Sequence, residues 1–382
     1  MCGIFILTEK TGDVQMNLLE NARVEIDRID NEMAKLFCQR MKAAEMVAEH
    51  KRIHSLPIED RAREAAMIAK NTEKVEFAYR PYYEQFLTSL ITESKKYQKF
   101  LLDGMTIAYS GVEGAFAHLA ARRIFKSGTA VSCHNFEQAY KSVEDGICDC
   151  AVLPIENSYA GDVDTVMDLA YRGSLYVSGI YDMPLSQSLL GKPGVTISEI
   201  KEVCSHPQAL SQCMPYLKSH GWQLTQAVNT AVAAQSVAQG DRRDIAVVAA
   251  REAAEIYGLE VLEGDINENK NNTTRFAVFT RTPCTIEPQD KHFVLMFTVK
   301  NKPGALGHVV SVISECGFNL KCLKSHPTGG ENWSYYFYSE GEGNLGTAEG
   351  KLLLSELNRF CEKVKLLGSF PAEKMLESSG KN

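Results

Sequence analysis

Arg40 and Lys51 stand eleven residues apart in a stretch free of glycine and proline. At about 100° per residue, that spacing puts them about 20° apart on one helix face. Asp60, Arg63 and Glu64 share a face by the three- and four-residue rule, and Ser94 and Gln98 do so by the four-residue rule. Donors of this kind on rigid helices can hold a compact anion and stabilise negative charge developing in it, without a nucleophile or a metal. Arg23 lies seventeen residues before Arg40, roughly 100° from that face, so it must serve a different pocket.

Four further motifs lie beyond residue 104. Gly111-Val112-Glu113-Gly114 follows a predicted strand and precedes a predicted helix at Ala117–Phe125, a place where backbone amides can receive an anion. Pro154-Ile155-Glu156-Asn157-Ser158 ends a strand. Ser205-His206-Pro207-Gln208 leads to Gln212, and Asn272-Thr273-Thr274-Arg275-Phe276 is expected just ahead of a strand. His118 follows the second glycine as a lone histidine and is expected to be structural rather than catalytic.

These residues need elements to hold them. From Val14 to Asp103 the chain reads as helix almost throughout, broken at Pro57, at Pro81 and at a turn near His54 and Ser55. Ile26, Ile29, Met33, Leu36 and Phe37 follow helical spacing and are expected to form one buried stripe on a long first helix. A second helix should begin at the acidic pair Glu59 and Asp60, and a third at Pro81. After Gly104, short β-like runs at 106–109, 150–154 and 244–249 alternate with helical stretches, the pattern of an α/β sheet. Pro283–Gln289 reads as a linker, followed by a strand at 292–300, a helix at 305–315 and an aromatic-rich strand at 332–338.

The segment 14–103 resembles the AroQ class of chorismate mutases, intertwined all-helical dimers, most specifically in Pro57-Ile58-Glu59-Asp60-Arg61-Ala62-Arg63-Glu64. That resemblance implies that Arg40 and Lys51 bind the substrate carboxylates and the breaking ether oxygen, which Gln98 also meets. Asp60, Arg63, Glu64 and Ser94 would complete the pocket, with Glu64 at the ring hydroxyl and Arg23 lent by a partner chain. The four later motifs, in this order over 104–283, resemble prephenate dehydratases, whose hallmark is the Thr-Arg-Phe triplet at 274–276. The implication is a pair of α/β subdomains of the type II periplasmic-binding-protein kind. Thr274 would act as the acid at the leaving hydroxyl, Arg275 would bind a carboxylate, and Glu156, Asn157, Ser205, Gln212, Thr230 and Phe276 would line the cleft. Where that family often carries hydroxyl residues, this chain has Ala115, Phe116 and Ala117.

Residues 291–370 resemble an ACT domain, an α+β ferredoxin-like module, which implies binding of L-phenylalanine at Gly304-Ala305-Leu306. A family motif usually written Glu-Ser-Arg-Pro is here Lys324-Ser325-His326-Pro327, so feedback weaker than usual, and sensitive to pH through His326, is expected. Together the three parts resemble a multidomain mutase, dehydratase and regulatory arrangement acting on chorismate and prephenate in phenylalanine biosynthesis, with no cofactor and no metal. The rival reading is an amino-acid sensor without catalysis, which leaves the helical set of cations unexplained.

The charge balance of 41 Lys or Arg against 48 Asp or Glu argues against broad attraction to nucleic acid or to an anionic membrane. The excess acid lies outside 14–103, where fifteen cations face fifteen carboxylates. Eleven scattered cysteines with no Cys-x-x-Cys pair suggest free thiols in a reducing cytoplasm, and no apolar run approaches the ~18 residues of a membrane span. Met1-Cys2-Gly3-Ile4-Phe5 looks like the opening of a class II glutamine amidotransferase, but nothing like a glutaminase follows. The expected assembly is a homodimer or a higher homo-oligomer.

Overall fold

The computed structural model describes residues 11–54, 57–329 and 334–376, and the side chains of these except 11–17 and 103. Met1–Phe5, Ser55 and the start of the expected strand at 332 lie outside the described residues. Residues 1–104 and 105–382 are two compact units. Among the described residues no helix is long and apolar enough to cross a membrane.

In the first unit α1 (Thr11–Ile53), α2 (Arg61–Thr72) and α3 (Arg80–Asp103) follow one another. Asp60 caps α2 by accepting the Arg63 N–H at 3.0 Å, which satisfies a donor that has no partner within the helix. Pro81 sits in the first turn of α3, and Gly104, at φ +71°, ends it. The small residues Ala44 and Ala48 of α1, with Leu87 and Ile91 of α3, form the buried core of this unit. The expected buried stripe on α1 is not buried within one chain. Ile26 is 55% exposed, Leu36 63% and Phe37 44%, and Ile29 and Met33 are open as well. Geometry explains the difference: by helical rise α1 is about 65 Å long and α3 about 36 Å, so the outer part of α1 has no helix of its own chain to pack against. Period names the apolar face and says nothing of what covers it.

The second unit runs β1 (Thr106–Ser110), α4 (Phe116–Ile124), β2 (Thr129–Cys133), α5 (Phe136–Glu144), β3 (Cys150–Asn157), β4 (Gly161–Asp162), α6 (Asp164–Arg172) and β5 (Tyr176–Pro184). The chain then crosses to a second sheet made of β6 (Ser188–Gly191), β7 (Glu202–Ser205), β8 (Gln223–Gln226), β9 (Ile245–Ala249) and β10 (Glu260–Glu263), ordered β10-β6-β9-β7-β8. Among its helices are α7 (Pro207–Gln212), α8 (Met214–His220), α9 (Thr230–Gln239) and α10 (Glu252–Tyr257). It returns as β11 (Thr273–Thr280), which inserts antiparallel between β3 and β5. Two α/β subdomains result, joined by the crossings after β5 and before β11. The Asn272–Phe276 motif lies within β11 apart from Asn272, not ahead of the strand as its polar start suggested.

The remaining chain forms β12 (His292–Thr298), α11 (Ala305–Glu315), β13 (Asn319–Pro327), β14 (Tyr335–Glu342), α12 (Ala348–Phe360), β15 (Lys363–Phe370) and β16 (Lys374–Met375). Its four longer strands are antiparallel in the order β13-β14-β12-β15, and both helices pack on Phe293, Leu295 and Phe297 of β12. This βαββαβ module joins the first subdomain's sheet edge to edge. Gly368 pairs with Val177 of β5, where a Cβ would meet the Val177 carbonyl at 2.5 Å, so the junction requires glycine. Beyond it, β16 pairs with Tyr181 and Asp182.

Candidate active sites

The helical unit brings seven of the eight expected mutase residues to one cavity of about 330 Å³: Arg40, Lys51, Asp60, Arg63, Glu64, Ser94 and Gln98. The Arg40 guanidinium, its pKa lowered by burial, donates to the Ser94 hydroxyl and to the Leu90 carbonyl. Lys51 Nζ donates to the Ile58 carbonyl, tying the end of α1 to the turn before α2. Gln98 is 7% exposed, and its Oε1 is buried with no hydrogen-bond partner. One member was missed. Lys95 also lines the cavity and donates to Glu64 at 3.0 Å, a place that follows from its position three residues before Gln98 on α3. Arg23 is exposed and lies about 25 Å from Arg40 along the axis of α1, away from this cavity.

In the α/β unit a bulge decides which residues meet. Arg275 pairs with Glu156, but Phe276 pairs with Pro154, so Ile155 is the extra residue on β3. Pro154 has no N–H to give to a ladder, which suits such a site. The bulge turns Asn157 onto the face of Thr274. Asn157 Nδ2 donates to Thr274 Oγ1 at 2.8 Å and to Asn272 Oδ1 at 3.0 Å, while its Oδ1 accepts from the amides of Tyr159 and Ala160 at 3.0 and 2.9 Å. Those two amides fix which end of the Asn157 side chain donates. Thr274 is 6% exposed, and Asn272 Nδ2 and Gln187 Oε1 are buried without partners. Gln187, just ahead of β6 in the second subdomain, donates from its Nε2 to Gln212 Oε1 of α7 at 3.5 Å.

Three expected cleft residues are placed elsewhere. Side chains alternate along a strand, so Arg275 lies on the opposite face of the sheet from Thr274. There it meets Glu340 at 2.9 Å, Glu373 at 2.6 Å, Asp182 at 3.3 Å and Glu156 at 3.6 Å. Burial opposes its charge, but Glu340, Tyr338 and Glu373 raise its pKa above the usual value. Glu156 faces the same way. Phe276 is 1% exposed and packs with Tyr109, Met183 and Val278, so it is core. Ser205 is fully buried and donates its hydroxyl to the Val248 carbonyl at 2.5 Å. Thr230 begins α9, capped by Asn229, and Asn229 lies against the glycine loop at Gly111.

That loop spans the two subdomains. The His118 Nδ1 accepts the Gly114 N–H at 3.1 Å, and burial holds the pKa of His118 below its ordinary value. Across the cleft the Tyr257 hydroxyl donates to the Glu113 carbonyl, and Arg123 pairs with Glu252. In the C-terminal module Ala305 and Leu306 line a cavity of about 670 Å³ with Tyr171, Tyr335 and Phe337, and Gly304, at φ +82°, makes the turn into α11. Lys324 and His326 are not part of that cavity. Both face the β3–β4 hairpin, Lys324 at Glu156 and Asp162, and His326 at Asp162 and Asp164, 3.6 and 3.4 Å away.

Comparison with known proteins gives two family matches, chorismate mutase type II over residues 22–99 and prephenate dehydratase over residues 107–284. The chain is 34% identical to arogenate dehydratase/prephenate dehydratase 1 of Arabidopsis thaliana, over 70% of this chain and 72% of that protein. It is 28% identical to the bifunctional chorismate mutase/prephenate dehydratase of Escherichia coli K12, over 94% of this chain and 98% of that one. The solved structure of prephenate dehydratase from Arthrobacter aurescens in complex with L-Phe superposes with a TM-score of 0.65 at 26% identity, covering 72% of this chain and 93% of that one. With a mutase-type cavity in its helical unit, a Thr-Arg-Phe strand in its α/β unit and relatives aligned along nearly its whole length, the chain belongs to the bifunctional chorismate mutase/prephenate dehydratase family of phenylalanine biosynthesis.

Proposed function

We propose that the cavity between α1, α2 and α3 carries out the mutase step with Arg40, Lys51, Gln98 and Glu64 as its central groups. The observation behind this reading is the convergence of seven separately phased polar residues on one cavity. Arg40 and Lys51 bind the carboxylates of chorismate and compact it, and Lys51 and Gln98 donate to the ether oxygen as charge develops there. Glu64 meets the ring hydroxyl. In donating to the ether oxygen Gln98 uses its Nε2, while its buried Oε1 has no partner among the described residues and can accept only from a donor group.

The prephenate so formed is the substrate of the α/β cleft, at Thr274, Asn157, Gln187 and Gln212. Because the Asn157 amide donates into the Thr274 oxygen, the hydroxyl proton of Thr274 is free to be directed at the leaving hydroxyl of prephenate. Accepting one bond also makes the threonine a better donor. As the ring carboxylate leaves as carbon dioxide, its bonding electrons enter the ring, the hydroxyl leaves as water, and aromatisation drives the step. The test is separation of activities. Thr274→Ala should convert chorismate and accumulate prephenate, and equal loss of both activities would overturn the assignment.

The same reading makes the mutase a dimer. The open face of α1 and the near end of α3 border an apolar groove of about 770 Å³ that includes Met33, Leu36, Phe37, Phe86 and Leu90. A second copy laid along it would bury those side chains and bring its Arg23 toward a pocket that this chain's own Arg23 cannot reach. L-Phenylalanine is the effector we assign to the cavity at Ala305 and Leu306, supported by its aromatic lining.

A further inference from the structure

The C-terminal module holds the sequence neighbours of the dehydratase pair. Asn157 and Thr274 face the cleft, while Glu156 and Arg275, one residue away on each strand, face the opposite side of the sheet. Arg275 is taken by Glu340 of β14 and by Glu373 beyond β15, and Glu340 is nearly buried. Glu156 is taken by Lys324 of β13, whose Nζ lies 2.7 Å from its Oε1.

Lys324 does more than pair with one carboxylate. It also donates to Asp162, the cross-strand partner of Glu156 in the β3–β4 hairpin, and so ties the two arms of the hairpin together. The next residue pair toward the tip is Asn157 opposite Gly161. At the tip the Asn157 Oδ1 accepts two turn amides, so the form of the hairpin sets the direction in which its Nδ2 points. That direction is toward Thr274. Burial works against the charge on Lys324, but Asp162 and Glu156 raise its pKa, so it is a cation throughout the working pH range.

We propose that Lys324 is a positioning residue of the dehydratase site: by clamping Glu156 to Asp162 it fixes the hairpin that aims Asn157 at Thr274. This rests on the assignment of Thr274 and Asn157 above. It also gives a role in catalysis to a residue outside both the cleft and the effector cavity. Lys324 faces two acids of the hairpin, so its charge is complementary to its surroundings.

The test uses the full chain without added phenylalanine. Lys324→Met should lower dehydratase kcat about 10- to 100-fold, the scale on which a misplaced group costs rate, with the KM for prephenate changed less than about threefold. Lys324→Arg should restore most of the loss, because a guanidinium can still span both carboxylates. Mutase turnover should stay at the wild-type value in both variants. Lys324→Met leaves two part-buried carboxylates without their cation, so its melting temperature should fall, and kcat is compared well below that temperature. A Lys324→Met kcat within about twofold of wild type overturns the proposal, as does a loss that is not restored by arginine. Thr274→Ala, assayed in parallel, separates the two levels: if it turns over normally the site assignment falls, and the role of Lys324 falls with it.

Discussion

The helical and the α/β units hold their polar groups in opposite ways. On α1, α2 and α3 the phase of each residue was enough to place it, and the expected faces of Arg40 with Lys51, of Asp60 with Glu64, and of Ser94 with Gln98 all open on one cavity. On β3 and β11 adjacent residues of a motif point to opposite faces, so the Thr-Arg-Phe triplet is divided between the cleft, the C-terminal module and the core. A contiguous motif on a helix spreads around a cylinder, but on a strand it is split in two. In this chain the split divides two partnerships: one face joins Asn157 to Thr274, while the other is held by carboxylates of the C-terminal module.

The largest expected effect tests the independence of the two sites. Lys51→Ala should lower mutase turnover by roughly 10² to 10³, as loss of a preorganised donor does, and leave dehydratase activity on added prephenate intact. Near-normal mutase turnover would end the cavity assignment.

Arg275→Met sharpens the contrast within one strand. Removing it leaves Glu340 and Glu373 without their guanidinium, so the α/β unit should lose about 3 to 5 kcal/mol of stability in a denaturant titration. Arg63→Met on the half-open mutase cavity should leave stability within about 0.5 kcal/mol. If Arg275→Met instead spares stability and raises only the KM for prephenate, then Arg275 binds substrate after all.

A third experiment asks what covers α1. Arg23→Ala and Arg40→Ala chains, each inactive as a mutase, should regain part of the activity when subunits are exchanged, because one pocket of the hybrid is then complete. Exchange verified by mass with no recovery would count against a shared pocket. Leu36→Glu should make the chain monomeric in sedimentation.

The smallest effect concerns the glycine loop. His118 must be unprotonated to accept the Gly114 N–H, and burial lowers its folded pKa below the unfolded value near 6.5. A base with a depressed folded pKa contributes stability that is present above the unfolded pKa and is lost as pH falls through the folded one. The α/β unit should therefore lose stability on acidification below about pH 6.5, and His118→Gln should flatten that slope. An unchanged slope would remove His118 from this role.

Composition, charge and helical spacing were legible because each is a property of the chain alone. They established a helical segment, an α/β segment, the strand, helix and strand that open the C-terminal tail, and the helix faces that Arg40 and Lys51, Asp60, Arg63 and Glu64, and Ser94 and Gln98 share. That these faces meet in one pocket, and that the tail is a complete βαββαβ module, came from the family resemblance. The bulge at Ile155 was not legible, since one extra residue in a strand leaves no periodic trace, and it alone turns Asn157 to the face of Thr274. Nor was the fate of Arg275, whose four carboxylates come from segments 65 residues away at the nearest, Glu340, and 119 at the farthest, Glu156 (275 − 156). Residue type and spacing determine which groups exist and which face of an element they share. Which face meets a substrate, a neighbouring strand or a second chain was decided by strand pairing and by the lengths of the helices, because those contacts join residues that the sequence keeps far apart.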